Sequence, residues 1–387
     1  MPPHRPRRIM PTMNRLLIPG EPLPWFHGAA LDGNPRYALH TAAGRWFVLL
    51  LMGTGTAAPC GAALDLLQAH RDLFDDERAS FFGVTIDQGD ADEERIAQRL
   101  PGIRWLLDYD RSISTLLGAC REEEDGRHRY RPHWLLVDPL MRVHQVADLA
   151  EGGALFERLR AMKGQPAPEA AAPVLVVPNV FDRDLCRRLI ALHDQTGGED
   201  SGFMREENGI TMLRVDHNHK RRRDQVIEDQ AMVDLLKARI NIALRPMIQR
   251  AFQFDATRIE RFLVACYDAR EGSHFRPHRD NTTKGTAHRR FACTINLNEE
   301  AFDGGELCFP EFGQRRYRAP TGGAIVFSCS LLHEALPVTR GRRYAFLPFF
   351  YDEDAARLRE RNIGFVTPEV AGYRSGLESQ SEETPSF

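Results

Sequence analysis

The chain has 387 residues, 42% hydrophobic and 27% charged, with 51 basic and 54 acidic side chains giving a formal net charge of −3. That length exceeds one ordinary core and predicts two domains, with the balance of a folded chain and not a disordered or fibrous one. The longest apolar run, residues 46–52, falls far short of the ~20 needed to span a bilayer. The near-neutral charge supplies no global field for nucleic acid or anionic lipid, so neither partner is predicted.

Lysine occurs only at 163, 220, 237 and 284, so 47 of the 51 basic residues are arginine, a bias of coding more than of function. Seven cysteines are scattered at 60, 120, 186, 266, 293, 308 and 329, an odd number with no CxxC pair. A disulfide framework or structural zinc site is therefore not expected, and a reducing cytoplasm is the default location. The first fifteen residues are basic and proline-rich without an apolar stretch behind them, which does not read as a secretory signal.

In chain order, residues 45–52 read as a buried strand and 60–76 have helical apolar spacing. Strands are expected at 80–86, 103–109, 133–138 and 142–146, with helices at 93–100 and 155–162. This alternation predicts a parallel or mixed sheet with helices on both faces. Residues 163–173, with three prolines and four alanines, read as a linker. The rhythm then changes. Helices at 182–194 and 230–252 precede short strands at 259–267, 290–298, 305–309, 315–318, 324–329 and 343–351, a pattern expected of a double-sheet jelly roll buttressed by helices. Residues 368–387 are polar and acidic and read as a disordered tail. The expected domains are 15–162 and 174–365.

The chemistry concentrates in His278 and Asp280 of HFRPHRDN, His333 of LLHEALPV and Arg343 of RGRRYAF. Two imidazoles and one carboxylate on one face of a metal leave three positions open, the facial triad of non-haem Fe(II) oxygenases. In an extended segment residues i and i+2 point to the same side, so His278 and Asp280 can chelate one ion. The third ligand must come from another strand, and His333 follows an apolar one. The pattern His70-x-Asp72 also matches, but in a helical stretch, where i and i+2 diverge by about 200°. His274 reads as a pocket or surface residue, and 216–224, DHNHKRRRD, as either a lid or a solvated charged loop.

With FLVACYD, FDGGELCFPE and the run from Gly322 to Tyr351, these residues resemble the iron- and 2-oxoglutarate-dependent dioxygenases of the prolyl 4-hydroxylase type, over residues 255–352. The helical segment 174–252 fits the lead-in to that double-stranded β-helix. The resemblance implies that His278, Asp280 and His333 bind Fe(II), with 2-oxoglutarate as cosubstrate, O2 as oxidant and ascorbate as candidate reductant. It implies that Arg343 pairs with the distal carboxylate of 2-oxoglutarate, which suits a guanidinium fork, and that Tyr267 hydrogen-bonds the same cosubstrate. Arg340 and Arg342 flank Arg343 in the same segment. The implied reaction is hydroxylation of a substrate C–H bond coupled to decarboxylation to succinate, the substrate being a protein, with a prolyl residue as the candidate target, or a small molecule.

Residues 15–160 resemble the alkyl hydroperoxide reductase/thiol-specific antioxidant branch of the thioredoxin-like fold, through IPGEPLPWFHG, FFGVTID, LLDYDRSISTLLGA and RPHWLLVDPLMRVHQV. Cys60 stands at the expected start of a helix, where a thiolate is stabilised and its pKa lowered. The peroxiredoxin pattern Pro-x3-Thr-x2-Cys is broken here by Gly53 and Ala57, with Thr54 and Thr56 out of register. The arginine position is Pro132, next to Arg131. Cys120 is the candidate resolving partner. Two alternatives to a fused dioxygenase thus stay open: peroxide reduction by Cys60, or a non-catalytic N-terminal module that recruits substrate. The other cysteines read as small apolar packing residues.

Overall fold

The computed structural model describes residues 15–165, 170–368 and 370. The chain divides into two compact units, one running to Ala170 and including Pro310–Gly313, the other beginning at Ala171. Within the expected linker, Lys163 closes a helix and residues 166–169 lie outside the described ones, as does all of the expected tail except 368 and 370. No helix among the described residues is long and apolar enough to cross a membrane.

The first unit is built on a mixed seven-stranded sheet in the order Tyr37–Ala38, His27–Ala30, Ile103–Leu107, Ala79–Thr85, Trp46–Gly53, His133–Val137, Val143–Asp148. The three central strands are parallel, and His27–Ala30, His133–Val137 and Val143–Asp148 join antiparallel. Alternate residues of strand Trp46–Gly53 (Val48, Leu50 and Met52) face a core shared with Ala63 and Leu67 of helix Ala58–Ala69 and Leu155, Phe156 and Leu159 of helix Gly152–Lys163. Both long helices therefore cover one face. Each fully buried Val, Leu, Phe or Met side chain among them contributes about 1.5–3 kcal/mol.

The helix expected at 93–100 does not form. A single turn, Gly89–Asp92, is followed by Glu94 at φ 54°. The cause is Asp90, whose buried carboxylate accepts from Gly55 N, the Thr85 hydroxyl and Arg95 Nε at 2.5–3.0 Å. Those bonds pull the chain back to the sheet before helix spacing can continue.

The second unit contains two main antiparallel sheets and a separate two-stranded pair, Phe203–Glu207 with Ile210–Arg214. The larger runs Val174–Val177, Ala324–Ser328, Phe291–Asn296, Val338–Phe346, Leu263–Asp268, Arg223–Val226, Glu199–Asp200. The smaller runs Lys220–Arg221, His274–His278, His333–Ala335, Leu307–Cys308, Arg316–Tyr317. The two-residue period of a strand assigns its faces. Val264 and Cys266 join Leu185, Leu189, Val233, Leu236 and Ile240 of the buttressing helices, whereas Leu263, Ala265 and Tyr267 pack inward with Ala335 and Phe275 of the smaller sheet.

Three expected elements are interrupted for identifiable reasons. The helix over 230–252 is two helices, Gln230–Ala243 and Arg245–Phe252, because Pro246 has no N–H to continue the ladder. The strand over 259–267 splits at Arg261, whose φ of 57° turns the chain. The strand over 343–351 is the end of Val338–Phe346 followed, beyond Pro348, by Phe349–Tyr351.

Candidate metal centre

His278 is the last residue of strand His274–His278, and its Cα partner across the smaller sheet is His333, the first residue of His333–Ala335. Asp280 lies just past the strand, held by its backbone N–H donating to the Cys329 carbonyl at 3.0 Å. Its carboxylate oxygens stand 3.5 Å from His278 Nε2 and 3.4 Å from His333 Nε2. The three donor atoms lie within 4.8 Å of one another, the one such group of three among the described residues.

The two imidazoles are oriented from behind. His278 Nδ1 bonds the Arg276 carbonyl at 2.8 Å and His333 Nδ1 the Leu331 carbonyl at 3.1 Å. A carbonyl can only accept, so both Nδ1 atoms carry hydrogen, and both Nε2 atoms face Asp280. Burial drives His333 down to about 4, aided by the neighbouring His278, so its ring is neutral at neutral pH. Burial works to raise the Asp280 carboxyl, but the facing His333 and His278 hold it well below the usual carboxylate range. Two imidazole Nε2 atoms and an ionised carboxylate are a donor set that fits a divalent iron ion.

A cavity of about 60 Å³ opens beside this group, lined among others by Tyr267, Thr294, Phe327, Leu347, Arg222 and Arg343. Arg343 is 3% exposed. Its Nη2 donates to the Thr294 hydroxyl at 3.0 Å and its Nε to Asn296 Oδ1 at 3.4 Å, both neutral acceptors. Burial pulls its pKa down from the ordinary arginine value. A buried cation without a carboxylate in hydrogen-bond reach among the described residues favours an anionic ligand. Tyr267 is the register partner of Arg343 across the larger sheet, with the guanidinium 5.1 Å from its ring centroid. Arg340 and Arg342 are drawn elsewhere, to Asp303 and Asp194.

His274 is half-buried, with Nδ1 on the Gly272 carbonyl and away from the group of three. His70 and Asp72 are both bound to Arg160 just beyond helix Ala58–Ala69, not inside it, and form no group of three. The segment 216–224 is neither simple lid nor simple solvated loop: 216–218 are exposed, whereas Lys220 and Arg222 are buried. Arg222 and Thr294 were not singled out by sequence reasoning. The available signal for Arg222 was the alternation of strand faces within KRRRD.

Cys60 departs from its expectation. It is the third residue of helix Ala58–Ala69 but only 1% exposed, turned into the core beneath the sheet with its thiol donating to the Met52 carbonyl at 3.2 Å. Burial first, then the Asp90 carboxylate, push its pKa up, the reverse of the activation expected at a helix N-terminus. Thr54 is engaged by Asp87 and Thr56, and Arg131 by Asp148. Cys120 is also buried, with its sulfur 3.9 Å from His128 Nδ1.

Comparison with known proteins gives two regional matches. Residues 262–351 match the 2OG-Fe(II) oxygenase superfamily, and residues 19–146 match the AhpC/TSA family. A PKHD-type hydroxylase of Verminephrobacter eiseniae is 32% identical over 123 residues, covering 30% of this chain and 52% of the relative. A PKHD-type hydroxylase of Pseudomonas putida is 35% identical over 103 residues, covering 24% and 44%. The chain thus spans about half the length of the curated relatives it matches. Among solved structures, a Pseudomonas putida prolyl-4-hydroxylase is similar at 20% identity and TM-score 0.36, covering 47% of this chain and 94% of that one. Mycobacterium tuberculosis AhpC is similar at 21% identity and TM-score 0.32, covering 38% and 94%. The chain joins, in order, a region resembling the AhpC/TSA family and a region resembling the 2OG-Fe(II) oxygenase superfamily.

Proposed function

We propose that the chain is an Fe(II)- and 2-oxoglutarate-dependent dioxygenase that hydroxylates a C–H bond. The observation that carries this reading is the convergence of His278, Asp280 and His333 beside a cavity that the buried Arg343 also lines. The match of residues 262–351 and the likeness to PKHD-type hydroxylases support it. His278 Nε2, His333 Nε2 and an Asp280 oxygen would hold the iron. When bound, iron supplies the redox chemistry that couples oxidative decarboxylation of 2-oxoglutarate by O2 to hydroxylation. Arg343 would anchor the distal carboxylate with a planar fork, and Tyr267 would add a hydrogen bond. Leu307, Phe327, Ala335 and Leu347 would keep water from the reacting groups.

A prolyl residue in a protein is the proposed substrate, with ascorbate as the proposed reductant. We assign a thioredoxin-like domain to 15–162 and a double-stranded β-helix to 174–365. For the first of these, the buried Cys60 favours a substrate-recruiting role over peroxide reduction. All seven cysteines are buried and none of them forms a disulfide, which supports a reducing, cytoplasmic location. The decisive experiment is succinate formation from 2-oxoglutarate with and without Fe(II). Activity that requires the metal and is lost in His278→Ala and Arg343→Ala is expected. A purified chain that binds no iron and consumes no 2-oxoglutarate, even with peptide substrates supplied, would overturn the reading.

A further inference from the structure

Arg222 is a buried cation beside the cavity with a division among its donors. Its Nε and Nη2 are taken by Asp224 at 2.6 and 2.5 Å, and Nη2 also reaches the Ser201 hydroxyl at 3.2 Å. The remaining nitrogen, Nη1, donates to the Tyr267 hydroxyl at 3.2 Å. Asp224 offsets the charge of Arg222, so Arg222 is not itself the anchor for an anion. Arg343, whose hydrogen bonds among the described residues go to the neutral Thr294 and Asn296, keeps that role.

The consequence lies in the polarity of Tyr267. A guanidinium has donors and no acceptor, so in this bond the tyrosine oxygen must accept. Its own proton is then left over, and among the described residues no acceptor takes it. Tyr267 lines the cavity, as does Arg343. We propose that Arg222 is a positioning residue that turns the Tyr267 hydroxyl into a dedicated hydrogen-bond donor toward the carboxylate held by Arg343. The assignment rests on the reading of this cavity as the 2-oxoglutarate pocket. It makes Tyr267 and Arg343 two donors and no acceptor, which selects an ionised carboxylate over an amide or alcohol at that end of the ligand.

The test uses the full chain loaded with Zn(II), which does not turn over, and calorimetric titration with 2-oxoglutarate and with 2-oxobutyrate, which lacks the distal carboxylate. Because Arg222→Met alone strands a buried carboxylate, the variant is Arg222→Met/Asp224→Asn, with Asp224→Asn as its reference. Relative to that reference, 2-oxoglutarate should bind about 3- to 10-fold more weakly, the size of one lost hydrogen bond. Tyr267→Phe should lose a similar factor, and the combination should be no worse than Tyr267→Phe alone, since the two act through one contact. Binding of 2-oxobutyrate should be unmoved throughout. Equal weakening of both ligands, or losses that add in full, would mark Arg222 as a packing residue and overturn the proposal. Wild-type protein that binds 2-oxoglutarate, with a variant that binds it equally well, overturns the Arg222 assignment alone. Wild-type protein that binds none overturns the pocket reading and this inference with it.

Discussion

His278 and His333 are Cα partners across one antiparallel ladder, and their ring centroids lie 4.3 Å apart although 55 positions separate them in the chain. The ladder sets the distance between two ligands, and the turn after His278 adds the third. Removing either imidazole takes away one of three protein donors. His278→Ala and His333→Ala should each weaken Co(II) binding by at least about 100-fold, at the upper end of what even indirect ligand partners cost. Visible absorption of the Co(II)-loaded chain measures it. His274→Ala, four residues from His278, should bind as wild type does, and an equal loss there would show that the strand and not the ligand set had failed.

The metal-free protein should lose stability in mild acid because of His333. Its folded pKa is about 4, against about 6.5 for an exposed histidine, so the unfolded chain takes up the proton first. The stability this group contributes is complete above about pH 6.5 and falls away as the pH drops toward 4, by on the order of 3 kcal/mol. Asp280 acts in the same direction at lower pH, since its carboxyl is held below the ordinary range. Melting temperatures in chelator between pH 8 and pH 4 should fall steeply for wild type and less for His333→Gln. Parallel curves would assign the acid sensitivity to other groups.

The residues that announce the site in sequence are those whose roles are local. His278 and Asp280 are two apart, and Arg343 follows His333 by ten positions on the next strand along the chain, so motif spacing was enough. Arg222 was hidden because its meaning depends on Tyr267, a partner 45 positions away, reached only when two strands pair. Its burial is legible after the fact in the alternation of buried Lys220 and Arg222 with the more exposed Arg221 and Arg223. Cys60 shows the opposite failure. Its place in a helix was readable, but the direction of its side chain was set by tertiary packing under the sheet. The absent helix at 93–100 likewise turned on Asp90, whose partners come from two other strands' ends.

Cys60 should behave as an inert core thiol. Reaction needs a thiolate and access, and burial denies both. At pH 7.5 iodoacetamide should label Cys60 at least about 100-fold more slowly in the native chain than in the unfolded one, as read by peptide mass spectrometry. Peroxide consumption by Cys60→Ser should equal that of wild type. Rapid native labelling, together with peroxide turnover that the serine variant loses, would restore the peroxidase reading.

Behind Asp280 sits a second buried network that should govern both stability and metal affinity. Glu260 accepts from Arg289 Nε and Nη2 at 2.9 and 2.6 Å and bonds His288 Nε2 at 2.8 Å. Glu260 and Arg289 are both buried, and Arg289 lies 4.0 Å over the Phe349 ring, which lines the cavity. The free energy of such a pair is asymmetric: breaking it strands a charge, while removing both partners does not. Glu260→Gln should therefore cost about 3–5 kcal/mol in denaturant unfolding. Glu260→Gln/Arg289→Met should recover much of that loss. Because Arg289 Nη1 also lies 3.5 Å from the Asp280 carbonyl, the recovered double variant should still bind Co(II) more weakly than wild type, by up to about 10-fold. A double variant with wild-type affinity would confine the network to stability. A single variant no less stable than wild type would show that the pair is solvated, contrary to its burial.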